Sequence, residues 1–200
     1  MRISFLVFVV IVLFLGSSAS FSDDLENAAY FYFPSDPEYL ILSYSYHLPT
    51  IPPDPTPRVR IYGNGRVVVH RPLYKSSPGD FELQLSNDEL DELLRSFEAC
   101  GWFEATSQSI KMLQNSAREE RLKAAGSTPA WFDIGTTEIA LHLEEYAASG
   151  NPDEGNQLAR SILAEKLEMF AEDYPEAREF GELYKCIVRL ETFLDRHPAS

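Results

Sequence analysis

Between Arg58 and Pro72 two short runs rich in β-branched residues, Val59-Arg-Ile61 and Val67-Val-Val69, flank Gly63-Asn-Gly65. Such a segment closes as an antiparallel hairpin, because glycine and asparagine enter the left-handed backbone region that a tight turn requires. The pattern also selects a register. A two-residue loop at Asn64-Gly65 would set Val59 and Ile61 opposite His70 and Val68. A three-residue loop with Gly65 left-handed puts Val59, Ile61, Val67 and Val69 on one face, and is preferred because it keeps the apolar residues together. The opposite face then displays Arg58, Arg60, Tyr62, Arg66, Val68 and His70.

Other segments carry their own signals. Leu40, Leu42, Tyr44, Tyr46 and Leu48 alternate with smaller or more polar residues and predict a strand over 38–48. The prolines at 49, 52, 53, 55 and 57 then forbid ladder pairing and predict a stiff loop. Phe81, Leu83 and Leu85 predict a further strand, which runs into Ser86-Asn-Asp-Glu89, a capping box in which serine and glutamate each satisfy an unpaired backbone donor. Leu90, Leu93, Leu94, Phe97 and Cys100 share one helical face, and Gly101 stands where a helix end belongs. Residues 107–125 are helical by pattern but thinly apolar, which predicts a mobile, surface-lying excursion. Trp131–Asp133 reads as a short extended piece, 136–146 as a strand and Gly150–Gly155 as a loop. Two amphipathic helices follow, one bearing Leu158, Ile162, Leu163, Leu167 and Phe170, the other Phe180, Leu183, Tyr184, Ile187, Leu190 and Leu194, with Pro175 in its first turn. Four or five strands with helices gathered after them predict an α+β fold, a small, mostly antiparallel sheet with helices packed on one face, in a single domain over residues 38–197.

The N-terminus reads as an export signal over residues 1–20: Met1-Arg2, an apolar run from Phe5 to Leu15, then small residues to Ser20. The run is too short for a membrane-spanning helix, which needs about 20 apolar residues. Residues 21–37 read as an arm whose aromatic cluster Tyr30-Phe-Tyr-Phe33 packs onto the domain. The expected location is therefore outside the cytoplasm, periplasmic or secreted, with no transmembrane span after cleavage. There Cys100 and Cys186 are candidates for a disulfide, with two buried free thiols as the alternative. Closing so long a loop stabilises by about 4 kcal/mol on the chain-entropy account.

The formal charge of −14 disfavours nucleic acid and anionic membranes as partners. Against it, residues 55–79 hold Arg58, Arg60, Arg66, Arg71 and Lys75 and no Asp or Glu. Arginine recognises carboxylates and phosphates through paired donors, so Arg58, Arg60, Tyr62, Arg66 and His70 form a candidate face for an anionic ligand or a protein partner. Arginines on exposed strands equally serve to prevent edge-to-edge aggregation or to pair with the chain's own acids. Nucleophile-elbow, phosphate-loop, His-Glu-x-x-His and Cys-x-x-Cys motifs are missing, and no cofactor is implied. His47, His70 and His142 with Glu144 could meet as metal ligands only if strand order allowed it, and unrelated surface histidines are the better reading. The Tyr44 and Tyr46 stripe reads as core before it reads as a ligand platform, and Glu144-Glu145 and Asp153-Glu154 as solvated surface before calcium ligands.

The hairpin Ile61-Tyr-Gly-Asn-Gly-Arg-Val67 followed by a capped, leucine-rich helix resembles a pattern in exported bacterial proteins of unknown function, over residues 38–103. That resemblance implies no activity and transfers no functional residue. The expectation is a non-enzymatic binding or interaction domain with a basic hairpin face. The alternatives are a hydrolase with a His and carboxylate site on the sheet, or a structural envelope component.

Overall fold

The computed structural model describes residues 29–49, 51, 54–75, 77–131, 134–148 and 155–196, so the expected signal, the first part of the expected arm and His197 lie outside the described residues. Among the described residues seven strands form one antiparallel sheet: β1 (Tyr30–Tyr32), β2 (Leu40–His47), β3 (Val59–Tyr62), β4 (Arg66–Arg71), β5 (Gly79–Gln84), β6 (Thr136–Ala147) and β7 (Asn156–Glu165). The helices are α1 (Asn87–Ala99), α2 (Ser107–Ala125), α3 (Leu167–Asp173) and α4 (Arg178–Arg196). β6 is the axis. β1 and β2 lie end to end along one edge of it, β7 runs along the other, and β3, β4 and β5 extend the sheet beyond β2. The α+β class expected from the pattern is the class observed.

The hairpin has the expected register. Val59 faces Val69 and Ile61 faces Val67 across a three-residue loop, with Gly65 at φ +82°. A side chain at Gly65 would be strained at that φ, and its Cβ would come within 2.4 Å of the Leu85 carbonyl oxygen. Ser86 and Glu89 form the capping box at the start of α1, and Gly101 ends it in the left-handed region.

Three expectations are corrected. Residues 156–165 are strand β7, not the start of a helix: Leu158, Ile162 and Ala164 are buried at alternate positions, while Leu163 is 47% exposed. The helical spacing of 158, 162 and 163 misleads because Arg160, which completes the inward row, is polar; its guanidinium reaches the Phe103 carbonyl at 2.7 Å. Phe31 of the arm packs on the domain as expected, against Phe103 and Tyr146 with ring centroids 5.4 and 5.9 Å away, and the arm also supplies strand β1. Pro175 lies in the turn before α4, three residues ahead of its first residue. Helix α2 does lie at the surface, yet it is tied down. Ile110 and Ala117 are buried, Ser107 Oγ accepts the Leu163 N–H at 2.8 Å, and Gln114 donates to the Glu165 carbonyl. Residues 132–133 and 149–154 of the other expected segments lie outside the described residues.

The helices pack on the face that carries Leu42, Tyr44, Ile61, Val67, Ile139, Leu141 and Ile162, and Trp102, Phe97, Phe103, Phe170 and Phe180 fill the layer between. The Trp102 indole N–H, buried there, donates to the Leu183 carbonyl at 3.0 Å, so its polar atom is satisfied. Among the described residues no helix is long and apolar enough to cross a membrane.

Strand and helix readings of residues 156–165 differ in what two substitutions do. Ile162→Ala should cost about 2–5 kcal/mol in urea unfolding. Leu163→Ala should cost no more than about 0.5 kcal/mol, as at an exposed site. Equal losses at the two positions would contradict the strand.

Candidate functional site

Cross-strand register decides where the basic hairpin's charges go. β4 pairs with β5 so that His70 stands opposite Asp80 and Val68 opposite Glu82, while Val68 also faces Arg60 on β3. Acids immediately outside the acid-free window are thereby laid beside its arginines. Arg60 donates to Asp80 Oδ2 at 2.8 Å. Arg66 donates to Glu82 at 3.2 Å and to the Pro37 carbonyl at 2.9 Å, lies 3.9 Å from Glu38, and stacks over the Tyr62 ring at 4.1 Å. His70 is held from both sides, its Nδ1 2.5 Å from Asp80 and its Nε2 2.9 Å from Asp54 in the proline-rich loop. Arg60, Tyr62, Arg66 and His70 thus share a face as expected, with their charges compensated by this chain's own carboxylates.

Arg58 departs from that face. It directly precedes β3, and although its carbonyl still accepts the His70 N–H at 2.8 Å, its long side chain turns round the strand end. Its guanidinium lies 5.0 Å above the Tyr46 ring, donates to the Tyr74 hydroxyl at 3.3 Å and stands 3.7 Å from Glu191 of α4. Glu191 is itself positioned by the Tyr44 hydroxyl, which donates to it at 2.7 Å. Burial, with the Glu191 charge added, raises the Tyr44 phenol and keeps it protonated as that donor.

Beside Arg58 a cleft of 390 Å³ opens at the ends of the strands, between the proline-rich loop and the turn after β4. Tyr46, Ile51 and Pro72 give it apolar walls, and Asp54, Arg58 and Tyr74 supply polar groups. Tyr44 is core, whereas Tyr46 is half-buried and faces this space. Asp54, Tyr74 and Glu191 were not singled out in the sequence. Asp80 and Glu82 had a signal, since pairing the 81–85 strand with the hairpin sets them against its basic residues; Glu191, in the last helix, had none.

The histidines do not converge. His47 lies 3.6 Å from Glu138 at one end of the β2–β6 pair, and His142, six residues along β6 from the partner of His47, is about 20 Å away at 3.3 Å per residue. Its ring sits 5.3 Å from that of Tyr39. No group of three metal-ligating side chains forms among the described residues. Cys100 and Cys186 are both buried and unbonded.

Partial desolvation by itself lowers the His70 imidazole, but the hydrogen bonds and charges of Asp80 and Asp54 outweigh it and hold the group above its ordinary 6.5. The hydrogen bond from His70 is the main cause that holds each carboxyl below its ordinary 3.8, with Arg60 adding to it at Asp80. The raised imidazole contributes stability that is complete below pH 6.5 and is lost as pH rises through its folded value. The lowered carboxyls contribute stability present above 3.8 and lost as pH falls through their folded values. The difference in Tm between the wild type and His70→Gln should therefore be largest between about pH 4 and 6.5 and shrink on the alkaline side. A constant difference from pH 4 to 9 would contradict the clamp.

The chain matches no family model, no curated protein and no solved structure, so the reading of the cleft rests on its own geometry.

Proposed function

We propose that the chain is a non-catalytic binding domain, exported by its N-terminal signal, that receives a partner's anionic or hydrogen-bonding group in the cleft at the hairpin end of the sheet. The observation that carries this reading is the cleft itself, a concave space of 390 Å³ with Arg58 in its wall. Binding sites combine apolar walls with a few convergent polar groups in this manner. Arg58 supplies the cation, and its stacking on Tyr46 aims it without a second arginine. The contact surface is thereby narrower than the hairpin face read from the sequence, because Arg60 and Arg66 meet their carboxylates at 2.8 and 3.2 Å, whereas Arg58 stands 3.7 Å from Glu191.

The hydrolase reading has one feature in its favour, a histidine beside carboxylates. Both ring nitrogens of His70 are occupied by aspartates, however, and a general base needs a free lone pair aimed at its substrate. That arrangement supports a clamp on the proline-rich loop, which keeps the cleft's rim in place through Asp54.

A photoactivatable residue at Tyr74, on the cleft, and another at Glu119, on exposed α2, provide the test. Irradiation in the native compartment should attach one defined partner from position 74, and Arg58→Ala should reduce its yield at least about tenfold, the loss of a charge-assisted hydrogen bond worth roughly 1.5–3 kcal/mol. The same products from both positions, or a yield indifferent to Arg58, would sink the proposal. Arg60→Ala and Arg66→Ala should instead lower Tm.

A further inference from the structure

Helix α1 and the residues just beyond it run antiparallel to α4. Arg189 Nη1 donates to Ser96 Oγ at 3.4 Å, and Trp102 Nε1 donates to the Leu183 carbonyl at 3.0 Å. From 96 to 102 the first segment advances six residues while its partner retreats six, from 189 to 183. The same register sets Cys100, at the end of α1, against Cys186 on α4. Each thiol is unbonded, with only 6% of Cys100 and 1% of Cys186 exposed, and the two lie within hydrogen-bonding reach of one another.

We propose that Cys100 and Cys186 form a modification site, a dithiol that closes into a disulfide joining α1 to α4 when the chain folds in the presence of an oxidising disulfide. One cysteine thiolate attacks a sulfur of the oxidant's disulfide and displaces a thiolate. The second cysteine then attacks the mixed disulfide and displaces the other. The two cysteines lose two protons and two electrons in total, and the oxidant is reduced from one disulfide to two thiols. No other cysteine is present in the chain to compete for the intramolecular bond.

Timing follows from burial. Desolvation first, and the neighbouring Cys100 second, push the Cys186 thiol well above its ordinary range. Thiolate is the reactive form, so the folded dithiol reacts slowly and the bond belongs to the folding or locally opened chain. Once made, it encloses α2, β6, β7 and α3 in one covalent loop and fixes the helix layer on which the sheet packs. This inference is independent of the cleft.

The full chain, reduced and unfolded in guanidinium, is refolded by dilution into oxidised glutathione with a small amount of the reduced form. Peptide mapping without reductant should find a linked pair containing Cys100 and Cys186, with an intact mass lower by about 2 Da for the two hydrogens lost. The refolded chain should recover the circular dichroism of the reduced protein and show a higher Tm. Folded reduced protein placed in the same mixture should oxidise at least about tenfold more slowly, as a buried protonated thiol does. Glutathione left on separate cysteines, chain-to-chain dimers, or free thiols after refolding would each overturn the proposal. So would a crosslinked chain with a non-native spectrum, since its bond would require a different packing of α1 on α4.

Discussion

Strand β6 is the constraint on which the remaining structure depends. Twelve residues long and paired on both edges, it cannot leave its backbone donors and acceptors unmatched in the interior. β1 and β2 together cover one edge and β7 the other, and the helix layer closes over Leu141, Ile139 and Leu143. This requirement turns residues 156–165 into a strand. Their local apolar spacing reads as helical, but a ten-residue partner along β6 satisfies more backbone groups than an isolated helix would.

What could be read from the sequence was what neighbouring residues decide. Gly65 and the β-branched runs fix the hairpin and its register, and Ser86 with Glu89 fixes where α1 begins, because turn and cap geometry involve only residues a few positions apart. β1 and β7 were not legible for the opposite reason. Three residues, Tyr30–Tyr32, become a strand only because the far end of β6 is there to receive them, and Arg160 breaks the apolar alternation of β7 because its partner is a backbone carbonyl on another segment. The Cys100–Cys186 approach depends on helix packing in the same way.

Charge compensation in the hairpin follows from the same geometry. The acid-free stretch looks like an exposed basic patch only while residues 55–79 are taken alone. Antiparallel pairing brings Asp80 and Glu82 back across β4, and the loop returns Asp54 to His70, so the excess positive charge is local in sequence and largely cancelled in space. Half-buried arginine pairs of this kind contribute modestly to stability. Their larger effect is to orient groups. His70 joins the proline-rich loop to the sheet, and Arg66 joins the turn after the arm to the hairpin through Glu38 and the Pro37 carbonyl.

Within a paired strand, register dictates which side chains meet, and evolution or chance can match each cation to an acid on the next strand. At a strand end a long side chain can turn round the edge even while its backbone stays in the ladder, as the Arg58 carbonyl does with the His70 N–H. Arg58 lies there, beside the last residues of β2 and the first of β6, and it swings away from the row to which its position in the sequence assigned it. A loop rich in proline cannot pair with the exposed ends and so leaves a gap in place of another strand. The cleft is thus a product of the fold's boundary: Arg58 and the aromatic walls are presented at the ends of the strands, where the proline-rich loop takes the place of another strand. That is the physical reason to place the proposed binding function at the hairpin's open end, while Arg60, Arg66 and His70 on the flat face pair with this chain's own acids.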